Sequence, residues 1–187
     1  MRHKALVLYA GERTGHRSCG VALAETFGRP VAAYQALRRG GITGTGPCGA
    51  VTAGRLLLGE FLADPDPTAP APARLVQAVR AYEKLVEERV DRGGVDGWVC
   101  NDLTARFEDF RSRARHRFCT RLVADVAECV AEVLSAHGVD VVPTAVDLDG
   151  GGRFDPVGDG PPPEAAGLDE ATLPVASTEA GGEPTKR

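Results

Sequence analysis

Apolar residues recur at spacings of three and four along most of residues 1–138, which is the period of an α-helix with one buried face. Leu75, Val79, Tyr82 and Val86 show this spacing, with charged residues between them. No sustained alternation of apolar and polar residues, the signature of a β-strand, is present. Helices are predicted over residues 19–27, 31–39, 47–62, 73–90 and 113–135, and residues 4–10 are either a helix or a strand. The pattern predicts an all-α fold, a compact helical bundle.

Capping and helix-breaking residues mark the ends of these segments. Ser18 is a candidate N-cap, and Pro47 suits the first position of a helix because its missing N–H costs nothing there. Asn101 or Asp102 is a candidate cap for the segment after residue 100. Residues 51–62 are apolar on nearly every side, which predicts a central helix. Residues 64–72 contain four prolines and are predicted to be an extended linker.

Composition separates a helical body from a tail. The 187 residues are 43% apolar and 26% charged, which is ordinary for a globular protein. From Gly138 onward, ten acidic residues stand against three basic ones, and large apolar residues are rare. Such a composition does not bury enough apolar surface to fold. We therefore predict a helical domain over residues 1–138 and an acidic, Gly/Pro-rich, disordered tail over residues 139–187.

A G-x-G-x-x-G pattern runs from Gly44 to Gly49 and contains Cys48. A dinucleotide-binding loop of this pattern follows a buried strand, whereas residues 31–39 are helical in character. A Walker-type phosphate loop needs a lysine after its glycines, and none follows here. The loop is therefore interpreted as shaping a cysteine site rather than holding a phosphate.

The chain has five cysteines, an odd number that does not favour a framework of structural disulfides. Cys19, Cys48 and Cys100 each lie near the predicted N-terminus of a helix. Free backbone N–H groups and the helix dipole at that end lower the pKa of a thiol. These three cysteines are therefore candidates for reactive or metal-bound thiols.

Cys119 and Cys129 lie on one predicted helix, but their surroundings differ. Cys119 follows His116 by one turn and has arginines nearby that favour a thiolate. Cys129 lies on an apolar stripe and is interpreted as a core residue. The histidines are scattered, and a lone histidine is more often structural than a ligand; His16 and His116 each precede a cysteine by three residues.

These cysteines and glycines resemble the pattern of a known family, the proteins named C_GCAxxG_C_C, to which a redox activity is ascribed. The resemblance covers residues 4–134 and rests on this order: Cys19, Gly40-Gly41, Cys48-Gly49-Ala50, Cys100-Asn101-Asp102-Leu103 and Cys119. It implies a small helical protein in which Cys19, Cys48, Cys100 and Cys119 act in electron or thiol redox chemistry. The domain is also similar to the iron–sulfur part of split-Soret cytochromes.

Two positions depart from the family pattern. Ala53 stands where the pattern has glycine, with Gly54 one residue later, which predicts less close packing of helices there. Asn101-Asp102 stands where family members have Arg-Glu. The chain also lacks the C-x-x-C-H motif of covalently bound haem, so no cytochrome is implied.

The leading hypothesis is that Cys19, Cys48, Cys100 and Cys119 converge and bind an iron–sulfur cluster for electron transfer. One alternative is a metal-free site in which the same cysteines form thiol–disulfide pairs. Structural zinc is disfavoured because the close C-x-x-C spacing is missing. A different class is a nucleic-acid-binding or protein-binding helical module with inert thiols, based on the basic run Arg111–Arg117.

The expected partners and location follow from what the sequence lacks. The basic run does not form one clean stripe on a helix, so nucleic acid is not the favoured partner. No apolar stretch reaches the length of a membrane span, and no signal peptide is recognisable. We expect a cytoplasmic protein with a redox partner that the sequence does not identify, no membrane association, and a possible homodimer.

Overall fold

The computed structural model describes residues 1–148, and within this range the chain is helical. The helices are α1 (Arg2–Ala10), α2 (Cys19–Thr26), a short 3-10 helix (Ala33–Leu37), α3 (Gly49–Leu62), α4 (Ala73–Arg89), α5 (Cys100–Thr104) and α6 (Arg113–Ala136). Residues 1–148 contain no β-strand, and an isolated antiparallel bridge joins Pro47 to Val99. The prediction of an all-α fold is confirmed, and residues 4–10 belong to a helix.

The structure corrects three predicted helix ends. Pro47 is not the first residue of α3, because it pairs with Val99 and the helix begins at Gly49. α5 begins at Cys100 with Val99 as its N-cap, so neither Asn101 nor Asp102 caps it. Only five residues of the predicted helix 31–39 are helical, and they form a 3-10 turn. Ser18 is the N-cap of α2, as predicted, although its hydroxyl makes no capping hydrogen bond.

Helices α3 and α6 organise the core. α6 packs against α1, α2, α3 and α4, and α3 packs against α2, α4 and α6. Leu57, Leu58 and Leu62 of α3 are fully buried, so the apolar character of residues 51–62 does correspond to a central helix. The Tyr82 hydroxyl of α4 donates a hydrogen bond to the carbonyl oxygen of Val51 in α3, at 2.9 Å.

Close packing of α3 and α4 depends on Gly54. A Cβ atom on Gly54 would lie 2.2 Å from the Tyr82 hydroxyl oxygen, while Ala53 is itself fully buried. The expectation of looser packing around Ala53 is therefore wrong, because the neighbouring glycine makes the close approach.

Residues 139–148 continue onto the helical body. Val146 is 3% exposed, and the Lys4 ammonium donates a hydrogen bond to the Thr144 hydroxyl at 2.5 Å. The remainder of the predicted disordered tail, residues 149–187, lies outside the described residues. None of the helices within residues 1–148 has both the length and the apolarity needed to cross a bilayer.

Candidate four-cysteine site

The four cysteines of the family pattern lie at or near the beginnings of four helices. Cys19 is the first residue of α2, Cys48 is the N-cap of α3, Cys100 is the first residue of α5, and Cys119 lies in the second turn of α6. Cys48 is buried and the other three are half-buried, and all four are free thiols. The predicted placement of Cys19, Cys48 and Cys100 near helix N-termini is confirmed.

The glycine-rich loop brings Cys48 and Cys100 to the same place. The Cys48 N–H donates to the Trp98 carbonyl oxygen at 2.6 Å, and the Cys100 N–H donates to the Gly46 carbonyl oxygen at 3.0 Å. The loop therefore runs antiparallel to the segment that leads into α5. These backbone groups of the loop are bonded within the protein, in agreement with a loop that shapes a cysteine site.

Two glycines allow this close approach. Gly40 has a φ of 57°, and a Cβ atom on it would lie 2.6 Å from the Cβ of Cys100. A Cβ atom on Gly49 would lie 2.1 Å from the Leu37 carbonyl oxygen and 2.7 Å from the Cys19 Sγ. A side chain at either position would displace the backbone or the cysteine beside it.

Cys19, Cys48 and Cys100 each lie within electrostatic range of Cys119. Burial is the main reason why the pKa values of Cys19, Cys48 and Cys100 are raised, and negative charge on Cys119 raises each of them further. That the four sulfurs converge on one bound group stays a prediction.

Cys129 lies apart from this group. It is 1% exposed and packs in the core, as predicted. Burial raises its pKa to about 11, and the charged groups that act on it are a separate set: Arg89, Asp125, Glu128 and Glu132.

The pKa shifts correct one prediction about the helix N-termini. Burial raises the pKa of the Cys19 thiol to about 11 and raises that of Cys48 well above its usual range. The backbone N–H groups of Ala50 and Val51 do favour the Cys48 thiolate, but burial outweighs them. Being at a helix N-terminus is therefore not enough to make a buried thiol acidic.

Cys119 differs from the other three in its side-chain neighbours. Burial raises its pKa, while the charges of Arg115 and Arg106 and the nearby Tyr9 hydroxyl act in the opposite direction. Arg115 is 4% exposed and Tyr9 is 5% exposed. The spacing of four residues from Arg115 to Cys119 could have identified Arg115, whereas nothing in the sequence indicated Tyr9.

The predicted histidine pair lies beside α1. His116 Nε2 is 3.0 Å from the Ala10 carbonyl oxygen, and His16 Nδ1 is 2.5 Å from the Tyr9 carbonyl oxygen. The two imidazole rings are 5.5 Å apart, centre to centre, and the Tyr9 ring stacks on His116. Both histidines thus bond to carbonyl oxygens at the end of α1, beside the ring of Tyr9.

The basic run Arg111–Arg117 is divided between surface and interior. Arg111 is exposed, whereas Arg115 and His116 are buried. The run therefore does not present one continuous basic face.

The donor set of the site fits an iron–sulfur cluster in kind and number, because such clusters are held by four thiolates. The glycines at positions 40 and 49 let the backbone pack directly against Cys100 and Cys19, with no space left for a side chain. Across residues 1–148, however, no three histidine, cysteine, aspartate or glutamate side chains are grouped closely enough to hold one metal ion. Ligation would therefore require the cysteine side chains to turn towards one another.

These features define a class: a helical protein in which four separate helices each carry one buried or half-buried cysteine at or near the N-terminal end. The model of the family described as "Putative redox-active protein (C_GCAxxG_C_C)" matches residues 17–133, more than half of the chain. The chain belongs to this family, and the family name indicates redox activity. No curated protein and no solved structure matches the chain.

Proposed function

We propose that this protein is an electron-transfer protein whose Cys19, Cys48, Cys100 and Cys119 hold an iron–sulfur cluster. The observation that supports the proposal is that burial raises the pKa values of all four thiols and that Cys19, Cys48 and Cys100 each lie within electrostatic range of Cys119. A buried thiol that keeps its proton is a poor nucleophile, which disfavours exchange with external disulfides. A metal deprotonates the thiols that it binds, so burial does not prevent ligation.

In this proposal the protein supplies the ligands, the enclosure and the countercharge. A bound cluster supplies one-electron transfer. The burial of Cys48 limits the access of water to the site. The Arg115 guanidinium offsets part of the negative charge that four thiolates bring into a low-dielectric interior.

A second candidate is thiol–disulfide redox chemistry without metal. It is favoured by the absence, within the described residues, of three metal-binding side chains grouped around one point. Cys19, Cys100 and Cys119 are also half-buried rather than sealed. In this chemistry two thiols lose two protons and two electrons to an oxidised partner and form one S–S bond.

The test is anaerobic purification of the full chain, with the visible spectrum and the iron and sulfide content recorded before and after cluster reconstitution. Stoichiometric iron and sulfide with charge-transfer absorption are expected for the wild type. Changing Cys19, Cys48, Cys100 or Cys119 to serine should reduce both contents strongly, whereas the Cys129→Ser control should retain them.

The opposite result would be a colourless protein that takes up no iron on reconstitution. A count of free thiols that changes by two on reduction would then support the disulfide chemistry, and bound zinc would support a structural site. Dependence on Cys129 rather than Cys119 would show that the last ligand is wrongly assigned.

A further inference from the structure

The glycine-rich loop holds an apolar side chain in solvent in an unfavourable conformation. Ile42 is 59% exposed, and its φ of 73° lies in the left-handed region, which a β-branched residue rarely adopts. Two backbone hydrogen bonds fix this turn. The Ile42 N–H donates to the Arg38 carbonyl oxygen at 2.5 Å, and the Gly44 N–H donates to the Arg39 carbonyl oxygen at 2.8 Å. Backbone strain of this kind is typical of functional surfaces.

A second exposed apolar side chain, Phe110, lies against the same turn. Phe110 is 37% exposed, and the guanidinium carbon of Arg39 is 4.8 Å from the centre of its ring. The guanidinium carbon of Arg115 is 4.3 Å from the same ring, and Arg115 Nε donates to the Phe110 carbonyl oxygen. These contacts hold the ring in place before anything binds, so binding through it costs little side-chain entropy.

Positive charge is concentrated around these two apolar side chains. The segments that carry them, residues 31–48 and 99–117, contain seven arginines and three acidic residues, a net charge of +4 in a chain whose net charge is −4. One of the acidic residues, Asp109, accepts a hydrogen bond from the Arg111 N–H at 2.7 Å. Within residues 1–148, no ion pair joins a carboxylate to the exposed side chains of Arg38, Arg39 or Arg111.

The same loop is attached through its backbone to one of the four cysteines. The Gly46 carbonyl oxygen accepts a hydrogen bond from the Cys100 N–H at 3.0 Å. Gly40 follows Arg39, and a Cβ atom on Gly40 would lie 2.6 Å from the Cβ of Cys100. Cys100 is half-buried rather than sealed. A protein that binds to the exposed side chains of the loop would therefore stand next to the four-cysteine site.

We propose that Arg38, Arg39, Ile42, Phe110 and Arg111 form a docking surface for an acidic electron-carrier protein. Arginines around an aromatic and an aliphatic side chain are typical of protein interfaces, where arginine and aromatic residues contribute most of the affinity. An acidic partner complements the local net charge and associates faster because of it. Nucleic acid fits less well, because the two apolar side chains interrupt the basic track that a phosphate backbone follows.

The binding of an acidic protein follows from the surface alone, whereas the exchange of electrons with it rests on the proposed function. One electron leaves the reduced carrier, which is oxidised, and enters the four-cysteine site, which is reduced. No bond forms or breaks in this step. The docking surface supplies the position of the carrier beside Cys100.

The test is binding of the full chain, as purified and after cluster reconstitution, to two small acidic carriers, a plant-type ferredoxin and a flavodoxin. At least one should bind in surface plasmon resonance, with an association rate that falls steeply as salt is added. Arg39→Glu should lower that rate about tenfold at low salt. Arg80→Glu is the matched control, because Arg80 is an exposed arginine of α4, outside the docking surface, and the change in net charge is the same. Its rate should stay within about twofold of the wild type.

Ile42→Asn separates binding from folding. The change removes an apolar side chain from the docking surface and also relieves the unfavourable backbone conformation at this position. The affinity for the carrier should therefore fall about three- to tenfold while the stability of the protein rises. A weaker complex of a more stable variant does not result from unfolding. Ile42→Val, which keeps a branched apolar side chain, should retain most of the affinity.

Several results would overturn the docking surface. These are no binding of either carrier, wild-type affinity of Arg39→Glu or of Ile42→Asn, and tighter binding of a short DNA duplex than of both carriers, which would identify nucleic acid as the partner. Stopped-flow mixing with the reduced carrier separates the two proposals. If a carrier binds through these residues but passes no electron, the proposed function fails while the docking surface stands. If electrons pass equally fast to the wild type and Arg39→Glu, the function stands and the docking surface is wrong.

Discussion

Gly49 lies so close to Cys19 that a Cβ atom on it would stand 2.7 Å from the Cys19 Sγ. The same Cβ atom would stand 2.1 Å from the Leu37 carbonyl oxygen, which belongs to the backbone and has little freedom to move. The first residue of α3 is therefore held against the first residue of α2. The absence of a side chain at position 49 therefore allows Cys19 to lie close to the start of α3, where Cys48 is the N-cap.

Replacing Gly49 with alanine should destabilise the protein and disturb the site. Overpacking of a tight contact costs about 1–3 kcal/mol, and here the backbone or Cys19 must shift to admit the methyl group. Urea denaturation should show the loss of stability, and the reconstituted iron content or the thiol count should also change.

Gly59→Ala provides the control on the same helix. Gly59 lies within α3, and a Cβ atom on it would meet nothing within 4 Å. Alanine is favoured over glycine within a helix, so this variant should be as stable as the wild type or more stable by about 0.5–1 kcal/mol. Equal stabilities of the two variants would contradict the close contact at Gly49.

Val146→Ala should destabilise the helical body, although Val146 follows the last helix. Val146 is 3% exposed, and the loss of two buried carbon groups should lower the free energy of unfolding by about 1.5 kcal/mol. Val142→Ala is the matched control, because Val142 is 77% exposed and should tolerate the change. Chemical denaturation of both variants tests whether residues 139–148 belong to the folded body.

The buried imidazole of His116 should make stability depend on pH. Burial, with His16 and Arg115 nearby, lowers the pKa of His116 from 6.5 to about 4 in the folded protein. The unfolded chain therefore binds the proton at a higher pH than the folded protein does. The free energy of unfolding should fall as the pH falls from about 6.5 to about 4 and become flat below that range, with a total contribution of about 3 kcal/mol from this group.

His116→Gln tests this dependence, because a glutamine amide can still donate to the Ala10 carbonyl oxygen but does not titrate. The difference in unfolding free energy between wild type and variant should shrink as the pH falls through the window. A difference that is constant from pH 7 to pH 4 would show that His116 does not carry the effect. Carboxylates that titrate in this range contribute equally to both proteins and cancel.

Ile42→Asn should stabilise the glycine-rich loop. Ile42 has a φ of 73° and is 59% exposed, an unfavourable conformation for a β-branched residue that gains little from burial. Asparagine tolerates the left-handed region, so the gain should be up to about 1 kcal/mol. Ile42→Val keeps the branched Cβ and should show no gain in the same thermal or chemical denaturation experiment.

Local patterns in the sequence were sufficient to predict the positions of most of the helices. The spacing of Leu75, Val79, Tyr82 and Val86 placed α4 within a residue of its observed ends, because helical periodicity is a property of neighbouring residues. The same reasoning placed Cys129 in the core. The ends of α3 and α5 were less predictable, because the bridge between Pro47 and Val99 joins two segments that are distant in the sequence.

The cysteines of the site were identifiable from the sequence, but their chemical environment was not. The positions of Cys19, Cys48 and Cys100 near helix N-termini followed from local signals, whereas the raised pKa of each depends on how the other helices bury it.

The sequence by itself determined which segments are helical and which four cysteines match the family pattern. Only the tertiary structure decided that Tyr9 and Arg115, which are 106 residues apart, form a buried hydrogen bond. The physical reason is that periodicity and capping act over a few residues. The pairing of the buried Arg115 guanidinium with the Tyr9 hydroxyl is instead fixed by the packing of α1 against α6.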